Sequence, residues 1–150
     1  MNETFSITRG VLEAAILAIE SHSNNLQRCH EIALDSGDML YEIGDTAIDE
    51  LIDLLSSDNE KIVVLAILYL GILNATGLDA KRAITPIRSC VNLASPEMVK
   101  ITGGESLAML GDAAFVKIKA QHMAKRNLSQ KDYDTRTFST VVDFIAGKLK

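Results

Sequence analysis

Tryptophan is absent from this 150-residue chain, and four phenylalanines and three tyrosines are its whole aromatic content. So few rings make poor stacking platforms, which argues against a single-strand nucleic-acid binder. Only two prolines and nine glycines interrupt the sequence, leaving room for long helices. Cys29 and Cys90 stand alone, with no CxxC pair and no disulfide framework. Buried in a helical core they would act as small hydrophobes, as suits a reducing cytoplasm, the expected location. The longest apolar run, Ile62 to Leu73, is interrupted by Tyr69 and Gly71 and is too short to span a bilayer. Met1 to Phe5 lacks a basic region followed by a long apolar run, so no cleavable signal is expected.

The motifs of common chemistries are missing too. There is no Gly-x-Ser-x-Gly, Walker or Rossmann glycine pattern, and Gly103-Gly104-Glu105-Ser106 lacks the lysine of a phosphate loop. Asp35-Ser36-Gly37-Asp38 has neither the spacing nor the terminal glutamate of a calcium loop. His22, His30 and His122 are scattered. Cys29 and His30 are neighbours, pointing about 100° apart on a helix, and would not readily share a metal. No catalytic residue, cofactor or metal is therefore expected.

What the chain has is aliphatic residues. Hydrophobic residues make up 47% of it, and strict alternation is nearly absent, so the expectation is an all-α fold in one domain over residues 1–150. Apolar stripes at helical spacing mark seven or eight helices. The first runs from a Thr8 cap to Ser21, and the second starts near Leu26 and ends or bends at Ser36-Gly37. Asp45 to Leu55 is amphipathic. The helix after Asn59 is apolar nearly all round and has to be covered on several sides. A helix over Asp79 to Asn92 contains Pro86, either as a bend or in the first turn of a helix starting at Thr85. Ser95-Pro96-Glu97 signals another start, and Gly103-Gly104 inside that helix marks close packing or a bend. Gly111-Asp112 opens the next helix, Ala124 to Thr135 reads as a loop, and a last helix covers Thr135 to Leu149.

These elements repeat. Gly44-Asp45-Thr46-Ala47-Ile48 matches Gly111-Asp112-Ala113-Ala114-Phe115, with Asp79 to Ile84 between them. Spacings of this order mark helical solenoids. The stretch Ala47-Ile48-x-x-Leu51-Ile52-x-Leu54-Leu55, Ser57-Asp58-Asn59, Ile62-x-x-x-Ala66-x-x-x-Leu70-Gly71 resembles a HEAT-type repeat. Ser95 to Gly111 fits in part, with Ser106 where the pattern has alanine, and residues 1–43 fit loosely. The resemblance implies a short right-handed α-solenoid of antiparallel helix pairs, and a protein that binds other macromolecules on the concave side of the stack.

Charge is unevenly distributed. Residues 1–60 carry thirteen acids against two arginines, whereas residues 61–150 carry seven acids against thirteen lysines and arginines. Glu31, Asp35, Asp38 and Glu42 fall at i, i+4, i+7 and i+11, one stripe on an unbroken helix, although a break at Gly37 would divide it. Asp45, Asp49 and Asp53 form a second stripe. Like charges at i, i+4 each cost a helix roughly 0.2–0.5 kcal/mol. The acids are either a solvated face or the seat of a basic protein. The late basic residues Lys117, Lys119, Lys125, Arg126, Lys131 and Arg136 would solvate that end or meet the acidic end of another copy, rather than bind nucleic acid. A small acidic chain of this kind resembles bacterial immunity proteins, which implies an inhibitor covering the basic cleft of a toxin such as a nuclease. The competing expectation is an adaptor subunit using an apolar edge near Tyr41 and Tyr69; a third is a HEAT-like glycosylase or lyase.

Overall fold

The computed structural model describes residues 6–148, so the expectations for Met1 to Phe5 and for Leu149 lie outside it. Within those residues the chain is all-α: α1 (Ile7–Ser21), α2 (Leu26–Ile43), α3 (Asp45–Leu54), α4 (Glu60–Ala75), a single 3-10 turn (Lys81–Ala83), α5 (Ile84–Cys90), α6 (Glu97–Met109), α7 (Ala113–Arg126) and α8 (Gln130–Ile145).

The caps explain most boundaries. Ser6, not Thr8, caps α1, accepting a hydrogen bond from the Arg9 amide; Thr8 is buried inside the first turn. The side chains of Asn25, Asn59, Asp112 and Ser129 cap α2, α4, α7 and α8 in the same way. Pro86 falls in the first turn of α5, where its missing amide costs nothing. Ser95 does not cap α6; its hydroxyl donates to the Cys90 carbonyl and closes the preceding turn. The expected loop over Ala124 to Thr135 is helical except at Asn127 to Ser129. Asn127, in the left-handed region at φ 54°, ends α7, and Ser129 starts α8 two residues later. Composition misled there, because the helices are polar on their exposed sides.

The core forms around α4. Ile62 to Gly71 and Leu73 are buried on every side of that helix, which touches α1, α2, α3, α6 and α8. Its closest neighbour is α6. An ideal Cβ on Gly71 would lie 2.7 Å from Ser106 Oγ and 3.1 Å from Ser106 Cα, so the two backbones meet where neither has a large side chain. Ser106 donates to the Ile67 carbonyl at 2.7 Å, which accounts for a serine at this position. Earlier along α6, Gly103 faces Val91, whose Cγ2 would be 2.4 Å from a Cβ, and Gly104 faces Phe115. Gly103 serves close packing, a Cβ at Gly104 would be in ordinary contact with the Phe115 ring at 3.4 Å, and α6 runs on through both.

Consecutive helices pack as α1 with α2, α3 with α4 and α5 with α6; α1 also touches α3, and α4 touches α2 and α6. The last helix departs from this order. α8 touches α1, α2, α4 and α6, burying Val141, Val142 and Ile145. At its end Lys61 Nζ donates to the Ile145 carbonyl at 2.9 Å and pairs with Glu20, tying α8, α4 and α1 together.

Candidate functional site

The acid-bearing helix α2 is unbroken from Leu26 to Ile43. Gly37 does not divide it; a Cβ there would be in ordinary contact with the Tyr69 ring, 3.4 Å away. Glu31, Asp35, Asp38 and Glu42 therefore lie within an arc of about 60° on one helix. All four are exposed, opposite the buried Cys29, Ile32, Ala33, Ser36 and Leu40. Asp45, Asp49 and Asp53 are likewise exposed on α3, opposite Ala47, Ile48, Leu51 and Leu54. The stripes lie on consecutive helices joined at Gly44, whose φ of 82° lets the chain turn directly from one helix into the next.

Two of the seven acids have a cation. Arg28 reaches Glu31 at 3.2 Å, and Arg82 reaches Asp49 at 2.9 Å. Among the described residues no ion pair is made by Asp35, Asp38, Glu42, Asp45 or Asp53. Asp45 lies in the first turn of α3, where the helix dipole favours an acid, but Glu42 runs against the dipole of α2. α2 has no acid in its first turn and no base in its last, while Glu42 sits in that last turn. An acid near a helix C-terminus is disfavoured by about 0.3–1 kcal/mol. Apart from the Arg28–Glu31 pair, the stripe makes no ion pair among the described residues that supports α2. Among the described residues no group of three or more His, Cys, Asp or Glu is arranged to hold a metal ion.

A cleft of about 350 Å³ opens beside this stripe. Ala33, Leu34, Gly37, Asp38 and Tyr41 of α2 line it with Tyr69, Ile72, Leu73 and Thr76 of α4 and Phe138 of α8. The floor is rigid: Tyr69 is buried, and its hydroxyl donates to the Ala33 carbonyl at 2.8 Å. Phe138 is held at one end by an edge-on contact with His30, ring centroids 5.8 Å apart. The walls are open, with Leu34 57% and Tyr41 46% exposed. Asp38 belongs to both features, as part of the acidic stripe and of the cleft rim.

A second polar cluster lies where α6, α7 and α8 meet. Lys119, the buried residue of α7, pairs with Asp134 at 2.5 Å and sits over the Tyr133 ring. Burial pushes the Glu105 carboxyl up from its ordinary pKa against the opposing pull of Tyr133 and Lys119, and its Oε2 has no partner among the described residues. Burial, with Glu105 beside it, raises the Tyr133 hydroxyl to about 12. His122 Nδ1 is 3.3 Å from that hydroxyl. Lys119 thus leaves the expected basic surface and becomes an internal tie, while Lys117, Lys125, Arg126, Lys131 and Arg136 stay exposed.

Of the cleft, the sequence pointed only to Tyr41, Tyr69 and, through its charge, Asp38. Leu34, Gly37 and Phe138 carry no motif. One signal was present: Leu34 and Tyr41, seven residues apart, are apolar positions on the otherwise polar side of an amphipathic helix. No family model, curated protein or solved structure matches the chain. Among the described residues no helix is long and apolar enough to cross a membrane.

Proposed function

We propose that this chain is a non-catalytic protein-binding module whose acidic α2–α3 face docks on a basic surface of another protein. The observation that carries the reading is the α2 stripe: four exposed acids in one line, three of them in no ion pair among the described residues, the last of them, Glu42, in the final turn where the dipole of its own helix disfavours it. An inhibitor of the immunity type, covering the basic cleft of a toxin such as a nuclease, fits this surface. It would act by steric occlusion with electrostatic steering, so its association rate falls as salt rises. In this reading α1/α2, α3/α4 and α5/α6 are stacked pairs of a short HEAT-like solenoid whose side is closed by α8.

A second reading, an adaptor in a larger complex, is favoured by one observation: the exposed Leu34 and Tyr41 on one face of α2. Capture from cell extract on the immobilised protein at low and high salt separates the two. A basic protein retained at low salt, released by salt and lost with Asp38→Lys/Asp53→Lys supports the inhibitor. Retention unchanged by salt and by those reversals refutes the acidic face and leaves the adaptor. Asp38 and Asp53 suit the test better than Asp49, which Arg82 already engages.

A further inference from the structure

The acidic stripe explains attraction but not register, since exposed charges alone fix few contacts and are screened by salt. The cleft beside it supplies what is missing. Resting on the proposed docking role of α2, we infer that the α2–α4–α8 cleft is the socket for a large apolar side chain carried by a lysine- or arginine-rich segment of the partner protein.

Size bears on the occupant. The cleft, about 350 Å³, lies at the small end of the roughly 300–1,000 Å³ of ligand clefts. It has room for anchor side chains, not for a whole helix. The stripe from Glu31 to Glu42 rises about 16 Å along α2, at 1.5 Å per residue. A small molecule filling the cleft would leave most of that charge untouched, whereas a peptide segment can seat an anchor and run its basic residues along the stripe.

Chemistry bears on it too. Leu34, Ile72, Leu73 and the rings of Tyr41, Tyr69 and Phe138 surround the anchor with carbon, while Asp38 places a carboxylate on the rim. Binding hot spots have this form: a buried aromatic or aliphatic anchor within a ring of polar contacts. The floor is preformed, because Tyr69 is pinned to Ala33 and Gly37 leaves the space above the ring empty. A mid-helix glycine costs about 1 kcal/mol relative to alanine. At Gly37 that cost keeps the socket open: a Cβ would meet only the Tyr69 ring, so a longer side chain has room to fill the cleft.

The test uses three synthetic amphipathic peptides of one length. The first has a Leu/Trp face and a Lys face; the second replaces Leu and Trp by Ala except for one Trp on the Lys face; the third replaces Lys by Glu. Because the protein contains no tryptophan, peptide emission reports binding without background. The first peptide is expected to bind with a blue-shifted emission. Its affinity should fall at least tenfold with Gly37→Leu, which fills the cleft, and with Leu34→Ser, which opens its wall, while circular dichroism of both variants stays native. Asp38→Lys should weaken it as well.

Equal binding of the first and second peptides, unaffected by Gly37→Leu, overturns the socket and leaves the acidic docking face standing. Equal binding of the first and third overturns both. Failure of the first peptide to bind overturns the socket, and the salt-dependent capture then decides the docking face separately. Sedimentation of the protein alone covers the remaining occupant: concentration-dependent self-association abolished by Gly37→Leu would assign the cleft to a second copy and overturn the inference.

Discussion

Gly71→Ala tests the packing at the centre of the molecule, because two effects of known sign oppose each other there. Alanine is preferred to glycine in a helix interior by about 0.8–1 kcal/mol, so α4 taken alone would gain. Its methyl group, however, would lie 2.7 Å from Ser106 Oγ, 3.0 Å from Met109 Sδ and 3.1 Å from Ser106 Cα. The methionine can turn away, but the Cα of Ser106 moves only with α6. Overpacking of this kind costs about 1–3 kcal/mol, and losing the close approach adds to it. The net expectation is a loss of about 1–2 kcal/mol, or roughly 2–8 °C in Tm for a domain of this size. Gly10→Ala in α1 is the control, since nothing lies within 4 Å of its added Cβ. It should gain about 0.5–1 kcal/mol. Urea denaturation followed by circular dichroism measures both. If Gly71→Ala matched or exceeded the wild type while Gly10→Ala rose, α4 and α6 would not meet as closely as described.

Asp112 caps α7 and is engaged by Arg88; burial pushes its carboxyl up, but the Arg88 and backbone hydrogen bonds outweigh this and hold it below the usual range. Asp112→Ala should cost about 1–2 kcal/mol, chiefly through the lost cap. Because the folded pKa is depressed, the ionic contribution is present at neutral pH and fades as pH falls below about 4, so the stability gap between wild type and Asp112→Asn should shrink there in urea melts. Glu105 has the opposite sign: with its carboxyl raised by burial, it destabilises the fold most when ionised. Glu105→Gln should therefore be more stable than wild type at pH 7, with the advantage shrinking at pH 4; equal stability at pH 7 would refute the burial argument. Burial raises Tyr69 and Tyr133, so both hydroxyls favour the neutral form in the folded state. Stability should be retained below about pH 10 and lost above it as unfolded tyrosines ionise, and absorbance at 295 nm should show these two tyrosinates appearing late.

Much of the helical pattern was readable from residue order, since Ile48, Leu51 and the stripe of α1 repeat at helical spacing and Asn59 and Asp112 are unambiguous caps. Gly37 was misread as a break, because local propensity cannot register a ring packed from another helix. The polar stretch after Ala124 was misread because it joins the end of α7, which packs mainly on α6, to the first turns of α8, whose buried residues Val141, Val142 and Ile145 come only later in the helix. The seven acids were legible as a pattern, and all stand exposed as their spacing requires. The cleft was not, because Ala33, Ile72 and Phe138 come from three segments that only the tertiary fold brings together.

The return of α8 also governs how the molecule is made. A stack in which each pair leans only on its neighbours can begin folding while the rest is still being synthesised. Here part of the cover for α1, α2 and α4 is α8, which leaves the ribosome more than a hundred residues after α1. Closing so long a loop comes late, because its entropy cost precedes the contacts that repay it. Until Ile145 reaches Lys61, the nascent chain leaves apolar surface uncovered, as an aggregation-prone intermediate does. Once closed, α1 and α8 lock each other, and these helices are expected to unfold as one cooperative unit, not pair by pair.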